Sequence, residues 1–360
     1  MTVIGKVCLA VLLLLLLVSV LAYLPAVSGL HWFLRVGVPE IGASFLFLAL
    51  PAALLLGRSL PKTAGGLFLA LAILVLVPWF QALGVARHIV EKEPELLGPS
   101  LQRFPLSHSP GGSHTLTTET YKENLQWDRY TPTSQPITAR VVFVHGGSWR
   151  NGTRKDYPQL LEYLADRGIE VFSVSYTLSG TAPYPAAVLD VESALQKLSQ
   201  DELPLFIAGR SSGGHVALLA AYRNPQLVRG VIGFYPPTDM VWSYEHPSNP
   251  HVLDSQEAIV QFMTGTPEQR PDLYRQASPI DVVTPQGPPT LLIHGKADCL
   301  VYLRQSERLS EKLAQLGVAH YLLELPWTEH GGDITVFGPT GRLSTWAIEG
   351  FVGKLSKSGQ

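Results

Sequence analysis

The sequence predicts an α/β domain built on a mostly parallel sheet with helices on both faces, preceded by about three transmembrane helices. Two patterns carry this. Long charge-free apolar runs are confined to the first 90 residues, and from residue 114 onward short apolar strands alternate with amphipathic stretches of helical length. Strands buried on both faces read as continuous Val/Ile/Leu runs, as these do.

Charge is divided the same way. The 360 residues carry 27 Lys+Arg and 29 Asp+Glu, a net charge of −2, and are 16% charged and 46% hydrophobic. A soluble domain carries about 25% charged residues. The deficit lies in residues 1–90, which hold five basic side chains (Lys6, Arg35, Arg58, Lys62, Arg87) and one acid, Glu40. The other 270 hold 22 basic and 28 acidic. This composition excludes a disordered chain, a collagen-like chain and a disulfide scaffold. With no basic excess in the body, nucleic acid is not an expected partner. Cys8 sits in an apolar run and Cys299 far away in the body, so no bridge between them is expected.

Val7–Leu30 has no charged residue and contains Val11-Leu-Leu-Leu-Leu-Leu-Leu-Val18. About 20 apolar residues span a hydrocarbon core at ~1.5 Å rise per residue. The run exceeds the h-region of a cleaved signal peptide, and two more apolar segments follow. Expected spans are 7–28, 41–57 (short and interrupted by Pro51) and 65–85, which ends in Pro78-Trp79-Phe80 near an interface. Three spans leave Lys6, Arg58 and Lys62 facing Arg35, Arg87 and Lys92, an even balance. The acid-free loop Arg58–Thr63 inclines the reading toward an inside N-terminus and an extracytoplasmic body. Lipid bilayer is thus an expected partner.

Residues 91–113, rich in Pro, Gly, Ser and Glu, read as a linker, and 114–360 as the catalytic body. Thr115–Thr120 and Leu125–Tyr130 suit antiparallel edge strands. Ile137–Val144, Ile169–Tyr176, Leu205–Gly209, Val228–Phe234, Thr290–His294 and Ala319–Leu325 read as sheet strands. Asp156–Arg167, Ala186–Leu198, Ser212–Tyr222, Gln305–Leu316 and Ala347–Leu355 read as helices. Residues 236–288, long and Pro-rich, read as a cap-like insertion above the sheet.

The chemistry begins at Gly209-Arg210-Ser211-Ser212-Gly213-Gly214, a G-x-S-x-G sequence between a buried strand and an Ala-rich helix. Such a turn strains Ser211 and projects its hydroxyl above the sheet edge, while the helix aims free amides at the same spot. A serine needs an adjacent base oriented by an acid, in the chain order Ser, acid, His. His320 lies inside a strand; His330, in Trp327-Thr-Glu-His-Gly-Gly332, falls in a loop past a strand's carboxyl end and is the expected base. Asp298, in Gly295-Lys-Ala-Asp298 after the strand 290–294, is the expected acid. Glu329, beside His330 in sequence, would have to fold back on its neighbour, and Asp333 is too near for a similar reason, so neither is the expected acid. The turn His145-Gly-Gly-Ser-Trp149 is placed to offer the amides of Gly147 and Ser148, which with that of Ser212 would form an oxyanion hole. One such donor is worth about 3–4 kcal/mol in a transition state. His215 is expected to pack, and Arg210 to be a structural or solvent-facing arginine rather than a substrate ligand. Tyr235, Trp242, Tyr244 and Tyr274 are divided between acyl pocket, cap core and surface. No H-E-x-x-H, clustered Cys/His, Walker loop or G-x-G-x-x-G occurs, so no cofactor or metal is implied.

These segments resemble the α/β-hydrolase superfamily in its hormone-sensitive-lipase-like and bacterial carboxylesterase branch. The match runs in order through His145–Trp149, Gly209–Gly214, His294–Asp298 and Glu329–Gly331, with Ser173–Tyr176 and Tyr184–Ala187 between. The resemblance covers roughly residues 115–355. It implies a serine hydrolase acting on small-molecule carboxylic esters through an acyl-enzyme. The chain departs from the pattern at Ser148, where the third glycine usually stands, at Arg210 and Ser212 in the elbow, and at Gly332. Two other readings stay open: a peptidase or deacetylase using the same triad, and a catalytically silent hydrolase-like binding protein.

Overall fold

A computed structural model describes residues 1–92 and 112–357. The chain begins with α1 (Val3–Leu21), α2 (Gly29–Ile41), α3 (Leu46–Gly57) and α4 (Pro61–Lys92). Thr2 caps α1 by accepting from the Gly5 N–H at 3.1 Å, and Ser28 starts α2 by accepting from the His31 N–H at 3.3 Å. A 3₁₀ turn at Gly42–Phe45 joins α2 to α3. A Cβ at Gly42 would lie 3.2 Å from Val75, so the bend rests directly on α4. Leu12, Ala49, Ala52, Leu56, Leu71 and Val75 close a core between these helices. Phe47, Leu54, Leu69, Ile73 and Phe80 face outward.

Three helical segments, Val3–Leu21, Gly29–Gly57 and Pro61–Glu91, are long and apolar enough to cross a membrane. The bounds of all three differ from the sequence reading, the third running from Pro61 to Glu91 rather than 65–85. The first helix stops at Leu21 rather than 28, because Pro25 and the Ser28 cap begin a new element. The second starts at Gly29 rather than 41, since Arg35 and Glu40, which discourage a spanning assignment, are turned into the protein body (below). Of the expected linker at 91–113, residues 93–111 lie outside the described residues.

The body is an eight-stranded sheet among the described residues: β1 (His114–Lys122), β2 (Leu125–Pro132), β3 (Ala139–Val144), β4 (Ile169–Val174), β5 (Leu205–Arg210), β6 (Gly230–Phe234), β7 (Thr290–Gly295) and β8 (His320–Leu325), in the order β1-β2-β4-β3-β5-β6-β7-β8. The β1–β2 and β2–β4 pairs are antiparallel and the rest parallel. Every residue of β4 to β7 is buried, which is why those strands carry no polar alternation. One sheet face packs Val142, Phe172, Ile207 and Leu292 against α6 (Ala186–Leu198), α7 (Ser212–Arg223) and α12 (Arg304–Leu316). The other packs Val141, Phe143, Phe206 and Ile232 against α5 (Pro158–Ala165) and α13 (Pro339–Lys357), and Ala82, Ala86 and Ile89 of α4 join that core. Between β6 and β7 the insertion folds into α8 (Met240–Glu245), α9 (Ser255–Met263), α10 (Pro271–Gln276) and α11 (Pro279–Val282).

The architecture is the α/β-hydrolase fold read from the sequence. The closing helix starts at Pro339, eight residues before the expected 347, with Pro339 in the first turn, where its missing N–H costs nothing. Gly341 hides this start from a periodicity reading. It is glycine because a Cβ there would meet the Thr335 carbonyl oxygen at 1.9 Å.

Candidate active site

The turn between β5 and α7 holds Ser211 at φ 53° and ψ −125°. A non-glycine residue there costs of order 1–3 kcal/mol and persists only when its surroundings hold it. Here the Ser211 N–H donates to Phe234 O at 2.9 Å and its carbonyl accepts from the His215 N–H at 3.0 Å. The flanking glycines are steric requirements: a Cβ on Gly209 would lie 2.3 Å from Gly213 O, and one on Gly213 2.1 Å from His145 O.

Two loops from the carboxyl edge meet this hydroxyl. His330 Nε2 is 3.0 Å from Ser211 Oγ, and His330 Nδ1 is 2.8 Å from Asp298 Oδ2. With its proton on Nδ1, the imidazole donates to Asp298 and accepts from the serine. The other Asp298 oxygen accepts the Leu300 and Val301 N–H groups at 2.9 and 2.8 Å. Burial by itself would raise the Asp298 carboxyl, but the His330 charge and the bonds from His294 and His330 outweigh it and hold the group far below the usual carboxylate range. Burial would depress His330, but the Asp298 carboxylate, followed by Glu329 and Asp333, raises it above the ordinary histidine value.

The structure therefore brings Ser211, Asp298 and His330 into one hydrogen-bonded row. Ser148 and Ser212 lie on the wall of the same cleft, beside Ser211 and His330. Gly147, one residue back, has φ +123° and packs on Asn151; a Cβ there would stand 2.1 Å from the Asn151 carbonyl oxygen. Gly146 abuts the elbow, its hypothetical Cβ 3.3 Å from the Ser211 Cβ. His145 fixes this turn: it stacks on Tyr176 at 4.4 Å between centroids, and its carbonyl accepts from the Tyr176 hydroxyl at 3.1 Å. Of the aromatics in and just before the insertion, Trp242 lines the cleft with Leu253 and Ile259, Tyr274 is buried in the cap, and Tyr235, directly after β6, lies against His330 with centroids 4.4 Å apart.

Several supporting residues were not assigned such roles from sequence. His294 Nε2 donates to Val301 O at 2.7 Å and lies 3.3 Å from Asp298 Oδ2, while its Nδ1 accepts from Ser306 Oγ at 2.7 Å. Its place four residues before Asp298 was the available signal. His215 accepts from Trp149 Nε1 at 3.1 Å and donates to Ala277 O at 2.7 Å, tying the turn after β3 to the cap; burial pushes its pKa down to about 4. Arg210 is structural: it is fully buried, ion-paired to Asp333, and stacked 3.7 Å over the Tyr157 ring. Asp333 in turn accepts from the Tyr235 hydroxyl at 2.6 Å. Glu329 turns away from the imidazole; its Oε1 accepts the Cys299 N–H at 2.7 Å and the His330 N–H at 3.0 Å, joining the two loops.

A protein-family profile described as BD-FAE matches residues 127–313. The chain is 30% identical over 256 residues to Esterase LipC of Mycobacterium tuberculosis, covering 64% of this chain and 62% of LipC. It is 26% identical over 283 residues to Esterase LipQ of the same organism, covering 73% and 65%. The chain thus spans just under two thirds of these relatives. Among solved structures, a Pyrobaculum calidifontis esterase superimposes with TM-score 0.58 at 21% identity, covering 74% of this chain and 99% of that one. A truncated carbohydrate esterase from gut microbiota does so with TM-score 0.56 at 23% identity, covering 69% and 99%. At these identities the structural likeness establishes the fold.

Proposed function

The chain belongs to the BD-FAE family, and from that membership and the geometry of the site we propose that it is a membrane-anchored serine hydrolase cleaving carboxylic esters. Ser211 Oγ attacks the ester carbonyl while His330 Nε2 takes its proton. Asp298 orients the imidazole and stabilises the imidazolium. The amides of Gly147, Ser148 and Ser212 hold the oxyanion of the tetrahedral intermediate. His330 then returns the proton to the departing alcohol, leaving an acyl-Ser211. Water activated by the same imidazole attacks the acyl carbon and releases the acid and free Ser211. Relatives described as esterases on both the sequence and structure sides support the ester bond as the target.

The observation that carries this reading is the hydrogen-bonded row Ser211–His330–Asp298, with the serine held in a strained turn at the head of a helix. The body, 114–360 with its cap at 236–288, is the catalytic unit on this reading. Residues 1–90 are the anchor: their three apolar segments turn large side chains outward, which a bilayer would bury and water would not. The test is turnover of short-acyl p-nitrophenyl esters together with fluorophosphonate labelling. Ser211→Ala should lose activity by roughly 10⁴-fold or more and take no label. A folded Ser211→Ala protein with undiminished activity would remove the nucleophile, and a wild-type chain that neither turns over nor labels would remove the enzyme.

A further inference from the structure

The anchor and the catalytic loops share buried charges. Arg35, on α2, places Nη1 2.5 Å from Glu329 Oε2 and donates from Nη2 to Ala297 O at 3.1 Å. Glu329 precedes His330 and Ala297 precedes Asp298, so a single guanidinium touches the residue before each partner of Ser211. One helical turn and a half further along, Glu40 Oε2 accepts the Thr340 N–H at 3.0 Å at the head of α13. Thr340 bonds Trp327 Nε1 at 2.9 Å and Thr328 Oγ1 at 2.7 Å. Gly338 is fitted to this contact: a Cβ there would meet Glu40 Oε2 at 2.2 Å. At the cap, Asn249 Nδ2 donates to Ala26 O at 3.1 Å, in the α1–α2 turn. Thus α2 grips both ends of the segment 327–340 that carries His330.

We propose that Arg35 is a positioning residue of the active site, neutralising Glu329 and tying the Asp298 and His330 loops to the anchor so that the hydrolase is complete only with its second helix docked. The proposal rests on the Ser211–His330–Asp298 reading above. Glu329 is 1% exposed. Its carboxyl is raised by burial and by Asp298, against the Cys299 and His330 amides and Arg35, which lower it. A buried carboxylate left without its counter-charge is strongly unfavourable. Were it stranded, the clip from Glu329 Oε1 to the Cys299 and His330 amides would be the contact to give way. The charges facing His330 are Asp298, Glu329 and Asp333. Arg210 balances Asp333 and His294 lies against Asp298, which leaves Arg35 as the cation on Glu329.

The test uses the full-length chain in detergent micelles with a p-nitrophenyl ester. Arg35→Met should lower kcat about 10- to 100-fold at nearly constant KM, the scale of a misplaced catalytic group. The acid limb of its pH–rate profile should move upward, because the unbalanced Glu329 charge favours the imidazolium. Arg35→Lys should keep the limb in place and most of the rate. Arg35→Met combined with Glu329→Gln should recover at least fivefold over Arg35→Met alone, since a carboxamide oxygen still accepts both amides and needs no counter-charge. Arg58→Met, at the far end of α3, is the control and should match wild type. If the wild-type enzyme is active while Arg35→Met keeps its rate and its limb, or the double variant is no better than the single, Arg35 only docks the helix and the proposal falls. An inactive, unlabelled wild type would instead defeat the hydrolase reading.

Discussion

The arginine inside the nucleophile elbow gives the sharpest stability prediction. Arg210 and Asp333 are both almost wholly buried, at 2% and 3% side-chain exposure. Arg210→Leu leaves the Asp333 carboxylate with the Tyr235 hydroxyl as its side-chain donor and empties the space over the Tyr157 ring. Breaking one partner of a buried pair costs about 3–5 kcal/mol. For a body of this size, at about 2–4 °C per kcal/mol, the melting transition should fall by roughly 6–20 °C. Asp333→Asn in the same chain removes the stranded charge while keeping an acceptor for Tyr235. The double variant should therefore melt well above the single one, with a coupling of about 2 kcal/mol. The assay is tryptophan-fluorescence unfolding of the four proteins of the cycle, at one scan rate, with residual fluorophosphonate labelling followed in parallel. Labelling should fall in Arg210→Leu below its transition, because Tyr235 supports the His330 ring. A single variant melting within 2 °C of the parent, or a double variant no better, would refute the view that this pair braces the site.

The pH dependence has a fixed sign. His330 must be neutral to accept the serine proton, and its pKa lies above the ordinary histidine value, so kcat/KM should rise through an acid limb centred above about 6.5 and then level off; a profile flat from pH 5 to 8 would exclude His330 as the base. Trp242→Ala opens the cleft wall beside Leu253 and Ile259 and should raise the ratio of kcat/KM for octanoyl over acetyl esters by about tenfold, checked with a p-nitrophenyl series. The chain should resist alkaline carbonate extraction from membranes. On an extracytoplasmic body, a membrane-impermeant fluorophosphonate should label Ser211 in intact cells as fully as in permeabilised ones.

The strands and the elbow were legible in the sequence because their causes are local. A run buried on both faces must be apolar throughout, as in Leu205–Gly209, and a turn with no room for a Cβ must be glycine, as at 209 and 213. The residues that meet Ser211 could be read from chain order and from their place just past a strand. What escaped has no local cause. The pairing of Arg35 with Glu329 joins positions almost 300 residues apart, and nothing near either one announces it. The same holds for Glu40 and Thr340. Arg35 and Glu40 lie in the part of the second segment, residues 29–40, that the expected span 41–57 leaves out. Charges in an apolar stretch argue against a span unless a protein surface receives them, and here the loops around His330 do so.

That reception explains how three buried carboxylates can surround one imidazole without defeating it. Asp298, Glu329 and Asp333 lie within a few residues or one hydrogen bond of His330, and each raises its proton affinity. Unbalanced, three such charges in a site of low dielectric would lock the ring as imidazolium and leave no acceptor for the serine proton. The fold answers by giving two of them cations of their own from different places: Arg210 of the elbow for Asp333, and Arg35 of the anchor for Glu329. Asp298 alone turns an oxygen to Nδ1, with its second oxygen held by backbone amides. The balance needs a side chain from the first 90 residues, so on this reading the anchor sets the chemistry as well as the address of the hydrolase.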